Sequence, residues 1–240
     1  MHNAKIDRCH QSRCEGVRPR SALRLRWISS KEAIPCPNMP RVGPSLCSSL
    51  STSDQVGDAM DAAELLEPDK LWRANDSLSR PSPIPAAPGV YGWHFDRSPD
   101  PQLPAGRLLY VGIAPRRMAN RSSRQNLRTR IRYHYRGNAE GSTLRLTLGC
   151  LLGLELRRVG SGKRLTFGQA GERELTAWMA EYAQVCWFEH PEPWIAESAL
   201  IAQLDLPLNL DQNRRHRFHE CLSDLRATAR SRARALPILA

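Results

Sequence analysis

Residues 89–112 place the tightest limit on the fold. Gly89–Phe95 (Gly-Val-Tyr-Gly-Trp-His-Phe) and Arg107–Gly112 (Arg-Leu-Leu-Tyr-Val-Gly) are short runs of β-branched, aromatic and aliphatic residues, the composition of strands. Between them, Asp96–Gly106 carries Pro99, Pro101 and Pro104. Proline removes N–H donors and fixes the backbone, so this stretch is a loop. The two runs therefore predict an antiparallel hairpin with a long connection.

Most of the chain beyond residue 125 has helical period. In Asn126–Tyr135, Leu127, Ile131 and Tyr135 recur at i, i+4 and i+8, which predicts a helix. Ser142–Gly149 reads as one or two further helical turns. Leu151–Val159 and Arg164–Phe167 flank Gly160-Ser161-Gly162, the pattern of a second hairpin. Glu172–Gln184 predicts a helix with Leu175, Trp178, Met179 and Tyr182 on one face. A short strand, Val185–Glu189, leads to a helix over Pro193–Leu204, with proline well placed in its first turn. Arg214–Arg234 is expected to be a basic C-terminal helix. Phe218, Cys221, Leu222, Leu225 and Ala229 form its inner face, and Arg226, Arg230 and Arg234 a charged stripe on another.

Upstream, Met60–Trp72 reads as one short helix and Ser77–Pro88 as a Pro/Ser/Ala linker. Residues 1–59 show no sustained period and are rich in Ser, Pro and Arg. They are expected to be disordered, or an upstream stretch outside the functional protein, with Met60 as its start. The expected organisation is an N-terminal segment over 1–81, a folded domain over 82–213, and the basic helix over 214–240.

The chain carries a formal net charge of +11, which attracts polyanions. The distribution of that charge is more telling than its sum. From Ala114 to Ala139 there are eight arginines and no acidic residue: Arg116, Arg117, Arg121, Arg124, Arg128, Arg130, Arg132 and Arg136. No i, i+4 ion pair can form inside this run. A one-sign cluster repels itself unless an anion relieves it, and the phosphate backbone is the natural counter-charge. No apolar run approaches the ~20 residues needed to span a bilayer, and no secretory leader is evident, so the expected location is the cytoplasm.

The seven cysteines do not suggest a disulfide framework. Cys9, Cys14, Cys36 and Cys47 lack the CxxC spacing of a zinc site. Cys150, Cys186 and Cys221 sit among apolar residues as core fillers. Gly160-Ser161-Gly162-Lys163 mimics a phosphate loop, but Arg157 stands where the first glycine belongs and Arg164 where Ser or Thr belongs.

Three segments put polar groups where core residues are expected. Tyr91 and Tyr110 lie on the predicted strands beside glycines, which hints at a close approach by a ligand or another backbone. Arg130 and His134 share one face of the Asn126 helix. Glu197 interrupts the otherwise apolar stripe of positions 194, 197, 200/201 and 204. A carboxylate on an inner helix face costs several kcal/mol, roughly, unless it is paired with an arginine or binds a metal. A tyrosine, an arginine, a histidine and a metal-bound carboxylate would together meet the needs of phosphodiester hydrolysis: an activated water, charge neutralisation and help for the departing oxygen.

In this order, Gly89-Val90-Tyr91 and Tyr110-Val111-Gly112, then Arg130 and His134 in a helix, Glu197 in Trp-Ile-Ala-Glu-Ser-Ala-Leu-Ile, and Pro207-Leu208-Asn209, the chain resembles the GIY-YIG nucleases. The resemblance implies an α+β fold, a small central antiparallel sheet flanked by helices. It implies an endonuclease that cuts DNA, duplex or branched, in repair or recombination, with Mg²⁺ or Mn²⁺ held by Glu197. It further implies that Tyr91 acts on the attacking water, that Tyr110 and His134 assist proton transfer or hold the phosphate, that Arg130 stabilises transition-state charge, and that Asn209 orients the site. Arg116, Arg117, Arg121, Arg124, Arg128, Arg132 and Arg136 are expected to contact nucleic acid. The alternative is a non-catalytic nucleic-acid-binding module that retains the fold. A protein-interaction domain whose arginines meet an acidic partner is a third reading. The chain differs from the pattern in its Pro-rich loop at 96–106 and in the long segment, with its own hairpin, before Glu197.

Overall fold

The computed structural model describes residues 62–116 and 125–239. Residues 1–59 with their four cysteines, Met60, and Arg117, Arg121 and Arg124 lie outside the described residues. The predicted hairpin is present as β1 (Gly89–Phe95) and β2 (Arg107–Ala114), paired antiparallel. A third strand, β5 (Ala183–Glu189), pairs antiparallel with the other edge of β1, so the sheet order is β2-β1-β5. Every residue of β1 is buried, because it is central and both faces of the sheet are covered.

The two faces carry two cores. Tyr91, Trp93 and Phe95 of β1 point into the larger one, which contains Leu127 and Ile131 of α3 (Leu127–Arg136), Leu144 and Leu148 of α4 (Thr143–Leu151), Leu175 and Met179 of α5 (Gly168–Tyr182), and Leu222 of α7 (His219–Ala235). Val90 and, from the neighbouring strands, Leu108, Ile113 and Cys186 point the other way. They meet Ala62 and Leu65 of α1 (residues 62–66) and Leu200 and Ile201 of α6 (Pro193–Gln203). The fold is therefore α+β, a small antiparallel sheet flanked by helices. Among the described residues no helix is long and apolar enough to cross a membrane.

A β-bulge breaks the register of the hairpin. Trp93 pairs with Tyr110 and His94 with Leu108, leaving Leu109 as the extra residue. Side chains on a regular strand alternate, so Tyr110 would share the face of Leu108. The bulge reverses that parity and turns Tyr110 to the side of Tyr91 and Trp93.

Local sequence accounts for the helix starts. Asn126 caps α3 by accepting from the Thr129 backbone N–H while the Thr129 hydroxyl accepts from the Asn126 N–H, a reciprocal capping box. Ser142 caps α4 by accepting from the Arg145 N–H. The expected Ser77–Pro88 linker is instead part of the fold. Ser77 ends a short helix, α2 (Ala74–Ser77), and Ile84 is fully buried. The carbonyls of Ala87, Pro85 and Ile84 accept from the Leu127 N–H, the Arg128 N–H and Arg128 Nε. A proline-rich stretch has few N–H donors of its own but keeps its carbonyls, and these satisfy the orphan donors at the start of α3.

Several boundaries differ from expectation. α5 begins at Gly168, four residues early, and the Ala183–Gln184 end of the expected helix belongs to β5. The strand expected over Leu151–Val159 shrinks to β3 (Arg157–Val159), paired with β4 (Arg164–Thr166). Gly160 (φ +60°) and Gly162 (φ +82°) make the turn between them, so this segment is a hairpin and not a phosphate loop. The C-terminal helix starts at His219 rather than Arg214 and packs against α4 and β3.

Arg145 of α4 welds three helices together. Its side chain is wholly buried, donates to the C-terminal carbonyls of α3 at His134 and Tyr135, and meets the Glu172 carboxylate at 2.6 Å. The other Glu172 oxygen accepts from the Ala139 and Phe167 N–H groups. The charge is buried at acceptable cost because every partner is a hydrogen bond acceptor placed for it.

Candidate active site

The tyrosines reach one side of the sheet through register. Tyr91 pairs with Gly112, and its ring lies across that glycine. A β-carbon at position 112 would sit 2.5 Å from the Tyr91 hydroxyl and 3.0 Å from the Tyr110 ring. This is the physical requirement for glycine at the end of Tyr110-Val111-Gly112. Burial pushes the Tyr91 hydroxyl well above its ordinary pKa, and Tyr110 adds to that; the Arg130 charge and hydrogen bond pull it down. Burial also raises Tyr110, against the Thr143 hydroxyl and Arg130.

α3 supplies Arg130 and His134 from its inner face, both buried. Arg130 donates to the Gly141 carbonyl at 3.0 Å, while its Nε has no partner among the described residues. Burial works against the Arg130 charge, but the Tyr91 charge and hydrogen bond, with Tyr110 and Tyr133, outweigh it and raise its pKa. His134 lies behind Tyr91, with Nε2 2.8 Å from the Tyr91 hydroxyl and Nδ1 2.7 Å from Ser142 Oγ. Its pKa is held well below the ordinary value by burial first, then by Arg130, Arg116 and Arg145, so it is neutral at pH 7. Ser142 Oγ already accepts from the Arg145 N–H. A hydroxyl oxygen has a second lone pair for His134 Nδ1–H, which leaves Nε2 able to accept from the Tyr91 hydroxyl.

α6 supplies Glu197. This carboxyl makes no ion pair among the described residues, and its pKa is pushed up to about 7 by burial and by Asp211, against the pull of Arg116. Tyr91, Tyr110, Arg130, Glu197 and Asn209 line one cavity of about 230 Å³. Asn209 serves the edge of the sheet as well. Its Oδ1 accepts from the Val111 N–H at 2.9 Å and its Nδ2 donates to the Val111 carbonyl at 2.8 Å, so it pairs with β2 as a strand would. The backbone between Tyr110 and Gly112 is held in this way.

The donor set suits a hard divalent cation. Glu197 and Asp211 bring carboxylate oxygens to the same cavity, and a cation would relieve both the desolvated charge and the repulsion between them. Among the described residues no group of three or more His, Cys, Asp or Glu is gathered to hold a metal.

Of the arginines expected to meet nucleic acid, Arg116 lines the cavity, while Arg128, Arg132 and Arg136 form an exposed face of α3, opposite Arg130. Arg128 also spends its Nε on the Ile84 carbonyl. Cys150 and Cys186 are free and buried. Burial raises Cys150 to about 11 and Cys186 to about 12, which suits core fillers rather than nucleophiles.

Sequence reasoning missed four side chains here: Ser142, Thr143, Asp211 and Arg226. Ser142 was recoverable as a helix cap but not as a partner of His134. Asp211 and Arg226 carried no local signal, because they enter through tertiary packing. Arg226, expected on an outer charged stripe, instead lines the cavity.

No curated protein and no solved structure is matched by the chain. The family description "GIY-YIG catalytic domain" matches residues 103–228. That span runs from the loop before β2 into α7, contains Tyr110, Arg130, His134, Glu197 and Asn209, and begins after Tyr91. It covers just over half of the 240 residues, and the chain belongs to this family of nuclease catalytic domains.

Proposed function

We propose that the protein is a metal-dependent endonuclease that hydrolyses DNA phosphodiester bonds in this cavity. The observation that supports this most is the convergence of four side chains, Tyr91, Tyr110, Arg130 and Glu197, on one cavity of about 230 Å³. That volume is below the roughly 300–1,000 Å³ of pockets for drug-sized ligands, so it suits a phosphate group rather than a whole nucleoside.

The Tyr91 hydroxyl is hydrogen-bonded to His134 Nε2 and to Arg130. Arg130 favours its ionised form, but burial outweighs that and keeps Tyr91 neutral. Neutral Tyr91 acts as a relay: it takes a proton from water and passes its own to His134 as the water oxygen bonds to phosphorus and the bond to the leaving sugar oxygen breaks, that oxygen taking a proton from solvent. His134, neutral at rest and hydrogen-bonded to Ser142, is the acceptor at the end of that relay. Arg130, which lines the cavity, offers its guanidinium charge to the oxygens that gain charge. Tyr110, held by Thr143, donates to the phosphate. A divalent ion on Glu197, Mg²⁺ or Mn²⁺, would supply charge neutralisation at a phosphate oxygen. Arg116, which lines the cavity, holds the flanking backbone.

The test is nicking of supercoiled plasmid with Mg²⁺ or Mn²⁺ by the wild type, Arg130→Ala and Glu197→Ala. Only the wild type should cut. Equal activity in all three would refute the assignment, and DNA binding without cleavage by the wild type would favour a binding module.

A further inference from the structure

We propose that Arg226, delivered by α7, is a second phosphate-binding residue of the site and contacts a non-bridging oxygen of the nucleic-acid backbone at or beside the bond that is cut. The nature of the anion rests on the nuclease reading; the need for an anion does not.

α7 is amphipathic, with Leu222 and Ala233 fully buried. Arg226 lies one turn beyond Leu222 and is half-buried, whereas Arg232 and Arg234 are exposed. It lines the same cavity as Tyr91, Arg130 and Glu197. Its Nε is buried without a partner, and it forms no hydrogen bond or ion pair among the described residues. Arg157 and Arg158 also leave Nε unpartnered, yet they spend other N–H groups on Glu155 and on the Pro237 and Leu236 carbonyls. Arg226 has no such outlet. Its charged neighbours include Arg230, which repels it, and Asp211, which attracts it without pairing.

The cavity is thus lined by two arginines, Arg130 from α3 and Arg226 from α7. Guanidinium N–H groups match phosphate oxygens in geometry and charge. Arg230 repels the Arg226 charge and no described residue pairs with it, and a phosphodiester entering the cavity provides the missing anion. The nearness of Asp211 gives Arg226 a weak resting partner that a phosphate can displace.

The experiment measures binding of a fluorescent 20-base-pair duplex in EDTA over a salt series, beside single-turnover cleavage with Mn²⁺. Loss of one phosphate contact makes the slope of log K against log salt shallower by about 0.9. Arg226→Gln should show that change and a cleavage rate at least tenfold lower. Arg226→Lys should keep the slope. Arg173→Gln, which removes an exposed charge from α5, should keep both. A natively folded Arg226→Gln with wild-type slope and rate overturns the proposal. A second measurement needs no variant: modification of Arg226 by p-hydroxyphenylglyoxal, read by mass spectrometry, should be suppressed by the duplex. Equal modification with and without duplex also overturns it. A wild type that binds but never cuts sinks the nuclease reading alone; a wild type that cuts with Arg226→Gln unchanged sinks this inference alone.

Discussion

Replacing Glu197 by glutamine should stabilise the metal-free protein, and only above a certain pH. Burial and Asp211 raise the Glu197 carboxyl from 4.5 to about 7. Between those values the folded state holds a proton that the unfolded chain has released, so stability falls as pH rises through this window. At 1.36 kcal/mol per tenfold change in proton affinity, the full penalty is about 3 kcal/mol above pH 7 and vanishes below 4.5. Glutamine keeps the shape and removes the charge. Urea unfolding in EDTA should show Glu197→Gln more stable than wild type by about 3 kcal/mol at pH 8 and nearly equal at pH 4.5. Mn²⁺ should close the gap at pH 8 by stabilising the wild type alone. A difference that does not change with pH, or a glutamine variant that is less stable at pH 8, would refute the account of Glu197 as a desolvated, unpaired carboxylate.

The packing yields two further expected outcomes. Gly112→Ala should fold, losing about 1–3 kcal/mol from overpacking, yet lose roughly a hundredfold in single-turnover cleavage because both site tyrosines must move; near-normal cleavage would rule out the contact between Gly112 and Tyr91 as a requirement of the site. Glu172→Ala leaves the wholly buried Arg145 without its carboxylate and should cost about 3–5 kcal/mol in urea unfolding, whereas a loss below about 1 kcal/mol would mean that Arg145 is satisfied by carbonyls alone.

Much of the fold was legible in local pattern. The strands at Gly89–Phe95 and Arg107–Gly112, the α3 helix with its cap, and the proline start of α6 each express propensity and periodicity over a few residues. The inward turn of Glu197 was legible for the same reason, since one carboxylate in an apolar stripe is a visible exception. Boundaries moved where a neighbouring element claimed the residues, as β5 claimed Ala183 and Gln184 to complete its pairing with Phe95 and His94.

By itself the sequence determined which residue types stand at which helical and strand positions, and with them a run of arginines free of acidic residues and the order of polar groups that marks the family. Tertiary structure alone decided which way several of those groups point. The bulge at Leu109 turns Tyr110 to the side of Tyr91, the carbonyls of residues 84–87 cap α3 and make a proline-rich stretch part of the core, and the packing of α7 on α4 brings Arg226 into the cavity. The physical reason is that strand parity and helix rotation are set by partners distant in the chain. A shift of one residue in register reverses a side chain's direction without changing the local composition at all.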